Sequence, residues 1–83
     1  MTQLDLFPRT AHLTRIDPSE NMERYYSLTV TSDLFGGCAL VRSWGRIRLS
    51  STTRIDLYPD EGAAIDALCE WRLRKTGRGY DAG

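Results

Sequence analysis

Residues 54–71 read RIDLYPDEGAAIDALCEW, and their hydrophobic period changes at Pro59. Before this proline, apolar and polar side chains alternate, which is typical of a strand with one buried face. After it, apolar side chains recur every three or four positions, so we predict a helix over residues 60–76 that ends at Gly77. Its apolar stripe consists of Ala64, Ile65, Leu68 and Trp71. The stretch therefore predicts a strand followed directly by one amphipathic helix.

Four strands are predicted before the helix, each bounded by Pro, Gly or polar turn residues. They cover residues 11–16, 24–31, 38–44 and 54–58. In the second strand, Tyr26, Leu28 and Val30 alternate onto one face, and in the fourth we expect Ile55 and Leu57 to face the core. This order predicts an α+β fold, a small antiparallel sheet of about four strands with one C-terminal helix packed on one face. The other sheet face would stay open to solvent or a partner.

The chain is short and its charges balance. Its 83 residues allow one domain, which we place at residues 10–80 between a loose leader (1–9) and a tail (81–83). Residues 1–40 contain three Arg and five acids, a sum of −2, whereas residues 41–83 contain seven Arg, one Lys and six acids, a sum of +2. A chain of zero net charge can therefore still present a basic face.

Composition and spacing exclude several classes of protein. No apolar run reaches the roughly 20 residues that cross a bilayer, and the N-terminus lacks a signal-peptide pattern. We therefore expect a cytoplasmic protein, associated with the nucleoid if it binds DNA. Cys38 and Cys69 lack metal-ligand spacing and are expected to be packed and inert. His12 is the only histidine, and no catalytic constellation surrounds it in the sequence. We expect no enzyme activity, metal, cofactor or small-molecule substrate.

Basic and aromatic residues cluster at the end of the third predicted strand, and no acidic residue is nearby. The segment reads RSWGRIR, residues 42–48, and we expect residues 46–49 to continue the extended chain after a kink. Alternate side chains of an extended chain share a face, Arg forks bind phosphate, and Trp stacks on a base or a sugar. The predicted nucleic-acid contacts are Arg42, Trp44, Gly45, Arg46 and Arg48. The alternative is that Trp44 lies in the core or is covered by Arg side chains.

A second basic cluster lies near the end of the predicted helix. Arg72, Lys75 and Arg78 are expected either to contact phosphate or to form a solvated helix end that complements the helix dipole. Trp71 lies on the apolar stripe and is expected in the core. Tyr80 could stack on a nucleotide, but we favour packing that ties down the C-terminal segment.

Five segments, in order along the chain, resemble the WGR domain family, which is named for its Trp-Gly-Arg. They are MERYY (22–26), WGRI (44–47), RIDLY (54–58), AAIDAL (63–68) and GRGY (77–80), and the resemblance extends over about residues 10–80. It implies a curved antiparallel sheet flanked by one helix. Family members often have Gly after the WGRI run, whereas this chain has Arg48. This substitution adds a positive charge and is expected to change the conformation of the turn.

The resemblance also implies a function. In poly(ADP-ribose) polymerases this domain binds DNA near strand breaks, its motif Trp packs on the sugar of a terminal nucleotide, and its motif Arg lies in the same contact region. These roles would fall to Trp44 and Arg46. We expect a non-enzymatic module that binds DNA ends or breaks without sequence preference. The alternative is a protein-interaction module that docks an acidic partner through the same face, and an exposed edge strand would allow a dimer.

Short bacterial members of the family have been labelled molybdate metabolism regulators. The sequence shows no anion-binding chemistry specific enough to support that label. This chain also contains no polymerase domain and no zinc finger, so the resemblance implies no polymerase activity.

Overall fold

The computed structural model describes residues 9–32 and 36–82, which form one antiparallel sheet with a helix on one face. The elements are β1 (Thr10–Asp17), β2 (Met22–Ser32), β3 (Cys38–Arg46), β4 (Thr52–Tyr58), α1 (Glu61–Thr76) and β5 (Asp81–Ala82). A short 3-10 helix, Pro18–Glu20, connects β1 to β2. The strands lie in the order β4-β3-β2-β1-β5, and every neighbouring pair is antiparallel. The predicted α+β fold, with four strands followed by one C-terminal helix, is confirmed.

The two ends of the described chain are both attached to the sheet. Asp81–Ala82 pairs with Leu13 and Thr14 of β1, so a short fifth strand stands where a tail was expected. The carbonyl of Arg9 accepts the N–H of Val30 at 2.8 Å. Residues 1–8 of the predicted leader and residues 33–35 of the predicted β2–β3 connection lie outside the described residues.

The core lies between the sheet and α1. Alternate side chains of β2 face the helix as predicted, and Tyr26, Leu28 and Val30 are buried. Trp71 of α1 packs against this core and is half-buried. The largest fully buried side chains are Leu13, Leu28, Leu40 and Leu68. Burying a leucine contributes about 1.5–3 kcal/mol, so these leucines, one each from β1, β2, β3 and α1, hold the helix against the sheet.

Helix α1 begins and ends within one residue of the prediction. The Asp60 carboxylate accepts the N–H of Ala63 at 2.8 Å and caps the first turn, a contact worth about 0.5–2 kcal/mol. After the helix, Gly79 has a φ of +96°, a left-handed conformation that favours glycine. This turn brings Tyr80 back towards the sheet. Across residues 9–32 and 36–82, no helix combines the length and apolarity needed to span a membrane.

The predicted orientation of β4 is wrong. Ile55 and Leu57 are 61% and 71% exposed and face away from α1, whereas Asp56 lies on the helix side. The reason lies in β3, where Arg42 is buried beneath α1 and donates to the Asp56 carboxylate at 3.0 Å. A buried cation without a partner is far more costly than exposed aliphatic side chains. The pairing of β4 with β3 therefore places the carboxylate inside and the aliphatic residues outside.

Residues 46–49 form a tight turn rather than the expected extended chain. The N–H groups of Leu49 and Ser50 both donate to the carbonyl of Arg46, at 3.0 and 3.1 Å. Arg48 has a φ of 68°, the left-handed conformation of a turn residue. Arg48 therefore does not continue the alternation of β3, and β4 begins at Thr52, two residues before the predicted start.

Candidate nucleic-acid interface

Trp44 lies on the helix side of β3, towards the end of the sheet that α1 leaves uncovered. Its ring stacks on that of Tyr26, with centroids 5.6 Å apart and planes at 15°. Tyr26 also contacts the rings of Trp71 and Tyr80. Trp44 is nevertheless only half-buried. The sequence left open whether Trp44 contacts nucleic acid or lies in the core. Both descriptions hold in part, because one side of the ring packs on the core and another part of it is accessible to a ligand.

Gly45 allows the turn after β3 to fold closely against the strand. A Cβ at this position would overlap the backbone carbonyl of Ser50, so no other residue fits without a shift of the turn. The Ser50 hydroxyl accepts the N–H of Arg46 at 3.0 Å, and the Arg46 guanidinium donates to the carbonyl of Asn21 at 2.9 Å. The Trp-Gly-Arg run therefore holds an exposed guanidinium beside the Trp44 ring.

A groove of about 360 Å³ opens at this end of the sheet. The residues that line it are Arg24, Trp44, Gly45, Arg46, Ser50, Thr52 and Tyr80. They supply two guanidiniums, two aromatic rings and three hydroxyls, and none of them carries a carboxylate. Arg24 and Arg46 also border a smaller cavity of about 200 Å³, whose lining includes Glu20. The larger groove thus combines the groups that bind phosphate with those that stack on a sugar or a base.

Three arginines stand in a row across the sheet at the same end. Arg15 of β1 is opposite Arg24 of β2, which in turn is opposite Arg46 of β3. Directly opposed residues of antiparallel strands share a face, so the three side chains leave the sheet on the same side. Like charges in opposed positions destabilise a sheet by themselves. The row is therefore a site of positive potential that a bound anion would stabilise.

Arg42, one of the predicted contacts, lies beneath α1 and outside the groove. It is 6% exposed, and its guanidinium donates to the Tyr26 hydroxyl at 3.2 Å and to Asp56 at 3.0 and 3.2 Å. Its Cζ atom is 4.1 Å from the centroid of the Trp71 ring. Burial lowers the pKa of Arg42, but the bonds to Tyr26 and Asp56 outweigh this and raise the pKa above its ordinary value. Arg42 is a charged structural residue in this position.

The remaining basic candidates also lie outside the groove lining. Arg48 is exposed in the turn and borders a separate cavity with Tyr25. Arg72 is half-buried on α1, and Arg78 is exposed in the turn after the helix. Lys75 packs behind the groove, with its Nζ atom 5.8 Å from the Tyr80 ring centroid. Burial lowers the pKa of Lys75, and the charges of Arg78 and Arg42 lower it further.

Three residues of the groove were not predicted, and for a fourth, Tyr80, packing was favoured over contact with a nucleotide. Arg24, Ser50 and Thr52 were not assigned to a site, and Tyr80 was expected to anchor the C-terminal segment. Tyr80 makes an edge contact with Tyr26, at 6.4 Å between centroids, and also lines the groove. Arg24 could have been found, because it precedes Tyr26 by two positions and so shares its face. The other three depend on turns and on cross-strand pairing, which residue spacing does not reveal.

The one histidine and the two cysteines lie on three different elements, His12 on β1, Cys38 on β3 and Cys69 on α1. Within the part of the chain that the structure describes, no group of three or more His, Cys, Asp or Glu side chains could hold a metal ion. The His12 ring stacks near Tyr25 on the opposite sheet face, with centroids 6.3 Å apart. Cys38 is buried and Cys69 is half-buried, and both are free thiols.

The small sheet, the single helix and the basic aromatic groove define a small binding domain. Residues 9–83 match the WGR domain family model, so the chain belongs to the WGR domain family, a nucleic-acid-binding type of domain. It is also similar to the uncharacterized protein y4dW of Sinorhizobium fredii (strain NBRC 101917 / NGR234), with 34% identity over 73 residues. The match covers 88% of this chain but only 36% of that relative, so the chain spans about a third of the relative's length.

Proposed function

We propose that this chain is a non-enzymatic module that binds DNA ends or breaks without sequence preference, through the groove around Trp44 and Arg46. The observation that carries the proposal is the lining of the groove, which offers guanidiniums, hydroxyls and aromatic rings without a carboxylate. Guanidiniums and hydroxyls donate to phosphate oxygens, and a partly exposed Trp ring can stack on a sugar or a base. Membership of the WGR family supports the same class of ligand.

Electrostatics supports a polyanion as the ligand. Arg15, Arg24 and Arg46 stand opposite one another on three adjacent strands, an arrangement that costs free energy in the unbound domain. A phosphate backbone would neutralise this row and release counterions. Because the chain has zero net charge, attraction comes from the local field of this row rather than from the whole molecule. Binding should therefore fall steeply as salt is added.

The chemistry of the groove favours binding without sequence preference. None of its lining residues is Asn, Gln, Asp or Glu, the side chains that pair with adenine or accept from cytosine. Its two arginines could read guanine, and the proposal assigns them to phosphate instead. Stacking on Trp44 would tolerate every base, since every base has a π face. Ser50 and Thr52 offer hydroxyls, which contact phosphate without reading sequence.

A terminal nucleotide fits this groove better than an internal one. The Trp44 ring is packed on Tyr26 at one side, so it can offer only its accessible part to a ligand. Inside a duplex, neighbouring base pairs cover both faces of every base, whereas a terminal nucleotide leaves one face and its sugar free. A ring held in a groove can therefore contact DNA where the stack is interrupted.

Fluorescence anisotropy with four duplexes tests the proposal. Blunt, nicked and 5′-recessed linear duplexes should bind more tightly than a covalently closed circle of the same length. Affinity should fall with salt, by about 0.9 in the slope of log K against log salt for each phosphate contact. Absence of binding to all four at low salt would overturn DNA as the ligand. Equal binding to the circle would overturn the preference for ends.

Two variants and a matched control locate the contact. Trp44→Leu retains apolar packing on Tyr26 but loses the stacking surface, and should weaken end binding by about 1–3 kcal/mol, roughly 5- to 150-fold. Arg46→Gln should reduce the salt slope by about 0.9. Arg9→Gln removes an exposed charge that pairs with Glu61 at the other end of the sheet, and should leave the slope unchanged. If Arg9→Gln reduced the salt slope more than Arg46→Gln, the phosphate contact would lie outside the groove.

The alternative of a protein partner makes a different prediction. In that case the same face would dock an acidic protein surface, with Trp44 and Arg46 as anchors. A pull-down would recover a specific protein, and Arg46→Glu would lose it while the DNA duplexes would show no binding. Recovery of DNA binding together with empty pull-downs would exclude this alternative.

A further inference from the structure

Strand β4 forms the outer edge of the sheet and is exposed along most of its length. Within the described part of the chain, β4 pairs only with β3, so its outer N–H and C=O groups have no strand partner there. Among its members, Ile55 and Leu57 are 61% and 71% exposed on the open sheet face, and the Arg54 side chain is 67% exposed on the helix side. A regular strand with exposed aliphatic side chains and an open edge is a template for pairing with another strand.

The residues of β4 are complementary to those of a second, antiparallel copy. The strand reads TTRIDLY, residues 52–58. Its central isoleucine, Ile55, is preceded by the cation Arg54 and followed by the acid Asp56. Within one chain, Arg54 donates to the Asp56 carboxylate at 3.3 Å. If two copies meet across a twofold axis at Ile55, each Arg54 also faces the partner's Asp56, and each Asp56 faces the partner's Arg54. Opposite charges in directly opposed positions stabilise an antiparallel pair.

The two neighbouring registers lack this complementarity. A twofold axis at Arg54 places that cation opposite the partner's Arg54, and an axis at Asp56 places two carboxylates opposite each other. Like charges in opposed positions destabilise the pair. A pairing shifted by a single residue, such as Arg54 opposite the partner's Ile55, would bring side chains of opposite sheet faces together. The charges of β4 therefore select the register centred on Ile55.

The same register brings the exposed Ile55 side chains of the two copies together in one apolar strip. Val41 of β3 is opposite Ile55 in the same chain. Across the axis, Ile55 would face the partner's Ile55, and the strip would continue to the partner's Val41. Water would be excluded from aliphatic surface that is exposed in the single chain, which favours association.

We propose that two copies of this chain associate through β4, in antiparallel register about Ile55, and join their sheets into one continuous sheet. The two helices and the two grooves then lie on the same side of that sheet, because a twofold axis perpendicular to it leaves both faces unchanged. The proposal does not depend on DNA binding. The surface buried by one strand pair is smaller than a standard interface, so association is weak and is measured at about 10 µM to 1 mM protein.

Cysteine cross-linking tests the register. Ile55→Cys, in a Cys69→Ala background that removes the half-buried thiol, should form an intermolecular disulfide on mild oxidation, since opposed Cα atoms about 4.5–5.5 Å apart meet the geometry of a disulfide. Leu57→Cys is the matched control, because Leu57 is exposed on the same face to a similar degree (71% against 61% for Ile55). Two copies of this residue would be separated by about 13 Å along the strand and should not cross-link. An equimolar mixture of Thr53→Cys and Leu57→Cys chains should form the mixed disulfide.

Sedimentation equilibrium tests the charges. The chain should shift from 9.4 kDa towards twice that mass as concentration rises. Arg54→Glu places like charges at both ends of the contact and should weaken dimerisation at least about tenfold, whereas Arg78→Glu makes the same charge change away from β4 and should not. Circular dichroism checks that each variant is folded. A monomer throughout the range, a dimer insensitive to Arg54→Glu, or equal cross-linking at positions 55 and 57 would overturn the proposal.

Discussion

Arg42 and Arg46 lie on the same face of β3, four positions apart, yet one is buried and the other is exposed. Helix α1 covers the sheet over Arg42, which binds Asp56 and the Tyr26 hydroxyl. It leaves the end of the sheet near Arg46 uncovered, where the guanidinium has the Asn21 carbonyl as a partner and borders the groove. The comparison shows that strand alternation determines the face of a side chain, whereas the covering helix determines its role.

The largest effect that this comparison predicts is a loss of stability in Arg42→Met. The variant leaves Asp56 and the Tyr26 hydroxyl without their shared donor. Removing one partner of a fully buried ion pair costs about 3–5 kcal/mol. We expect about 2–3 kcal/mol here, because the Asp56 side chain is 27% exposed and keeps its bond to Arg54 at 3.3 Å. Urea unfolding followed by circular dichroism measures the change. DNA binding by the folded fraction should be preserved.

A double-mutant cycle sharpens this prediction. Asp56→Asn should also destabilise the domain, since it leaves the buried Arg42 without a carboxylate. The double variant Arg42→Met with Asp56→Asn should lose less free energy of unfolding than the sum of the single variants, because both remove the same contact. Additive losses would show that the two side chains are not energetically coupled.

The second effect concerns Gly45, which lies between the two regions. Gly45→Ala places a Cβ against the Ser50 carbonyl and forces the turn away from β3. We expect a loss of about 1–3 kcal/mol, as for other overpacked positions, together with weaker DNA binding because the groove changes shape. Thermal unfolding and anisotropy measure the two losses.

The matched control for Gly45 is another glycine-to-alanine change. In Gly62→Ala the new Cβ would lie in the first turn of α1, where its near neighbour is the Asp60 Oδ1 atom at 3.3 Å. Alanine is a better helix former than glycine by about 1 kcal/mol, but this oxygen also caps Ala63 and would have to move by a few tenths of an ångström. The variant should therefore change stability by less than Gly45→Ala. If Gly45→Ala were as well tolerated, the close approach of Ser50 would not be a requirement of the fold.

Much of the fold could be predicted from periodicity, and the exceptions have a common cause. The alternation of Tyr26, Leu28 and Val30 and the helical stripe of α1 identified the core because apolar side chains dominate both. In β4 the same reasoning assigned Ile55 and Leu57 to the wrong face of the sheet. The choice between faces was decided by the buried cation Arg42, which lies on another strand and needs Asp56 inside. Hydrophobic alternation in one strand contains no information about such a partner.

The candidate site was predictable only in its linear part. Trp44, Gly45 and Arg46 are adjacent in sequence and all line the groove. Arg24 and Tyr80 come from elsewhere in the chain, and the pairing of β2 with β3 and the glycine turn after α1 bring them there. Arg48 fell outside the groove because the chain turns at residues 47–49 instead of continuing as a strand.

The smallest effect on stability, and the sharpest test of the comparison, is expected for Arg46→Gln. This exposed side chain donates to one carbonyl, so the free energy of unfolding should change by no more than about 0.5 kcal/mol. The variant should instead reduce the slope of log K against log salt for DNA binding, by about 0.9 for the one phosphate contact that is lost. Arg42→Met should show the opposite pattern, with a large change in stability and an unchanged slope. If both variants altered stability and slope alike, the two guanidiniums would belong to one network, and the division of β3 into a structural and a binding arginine would be wrong.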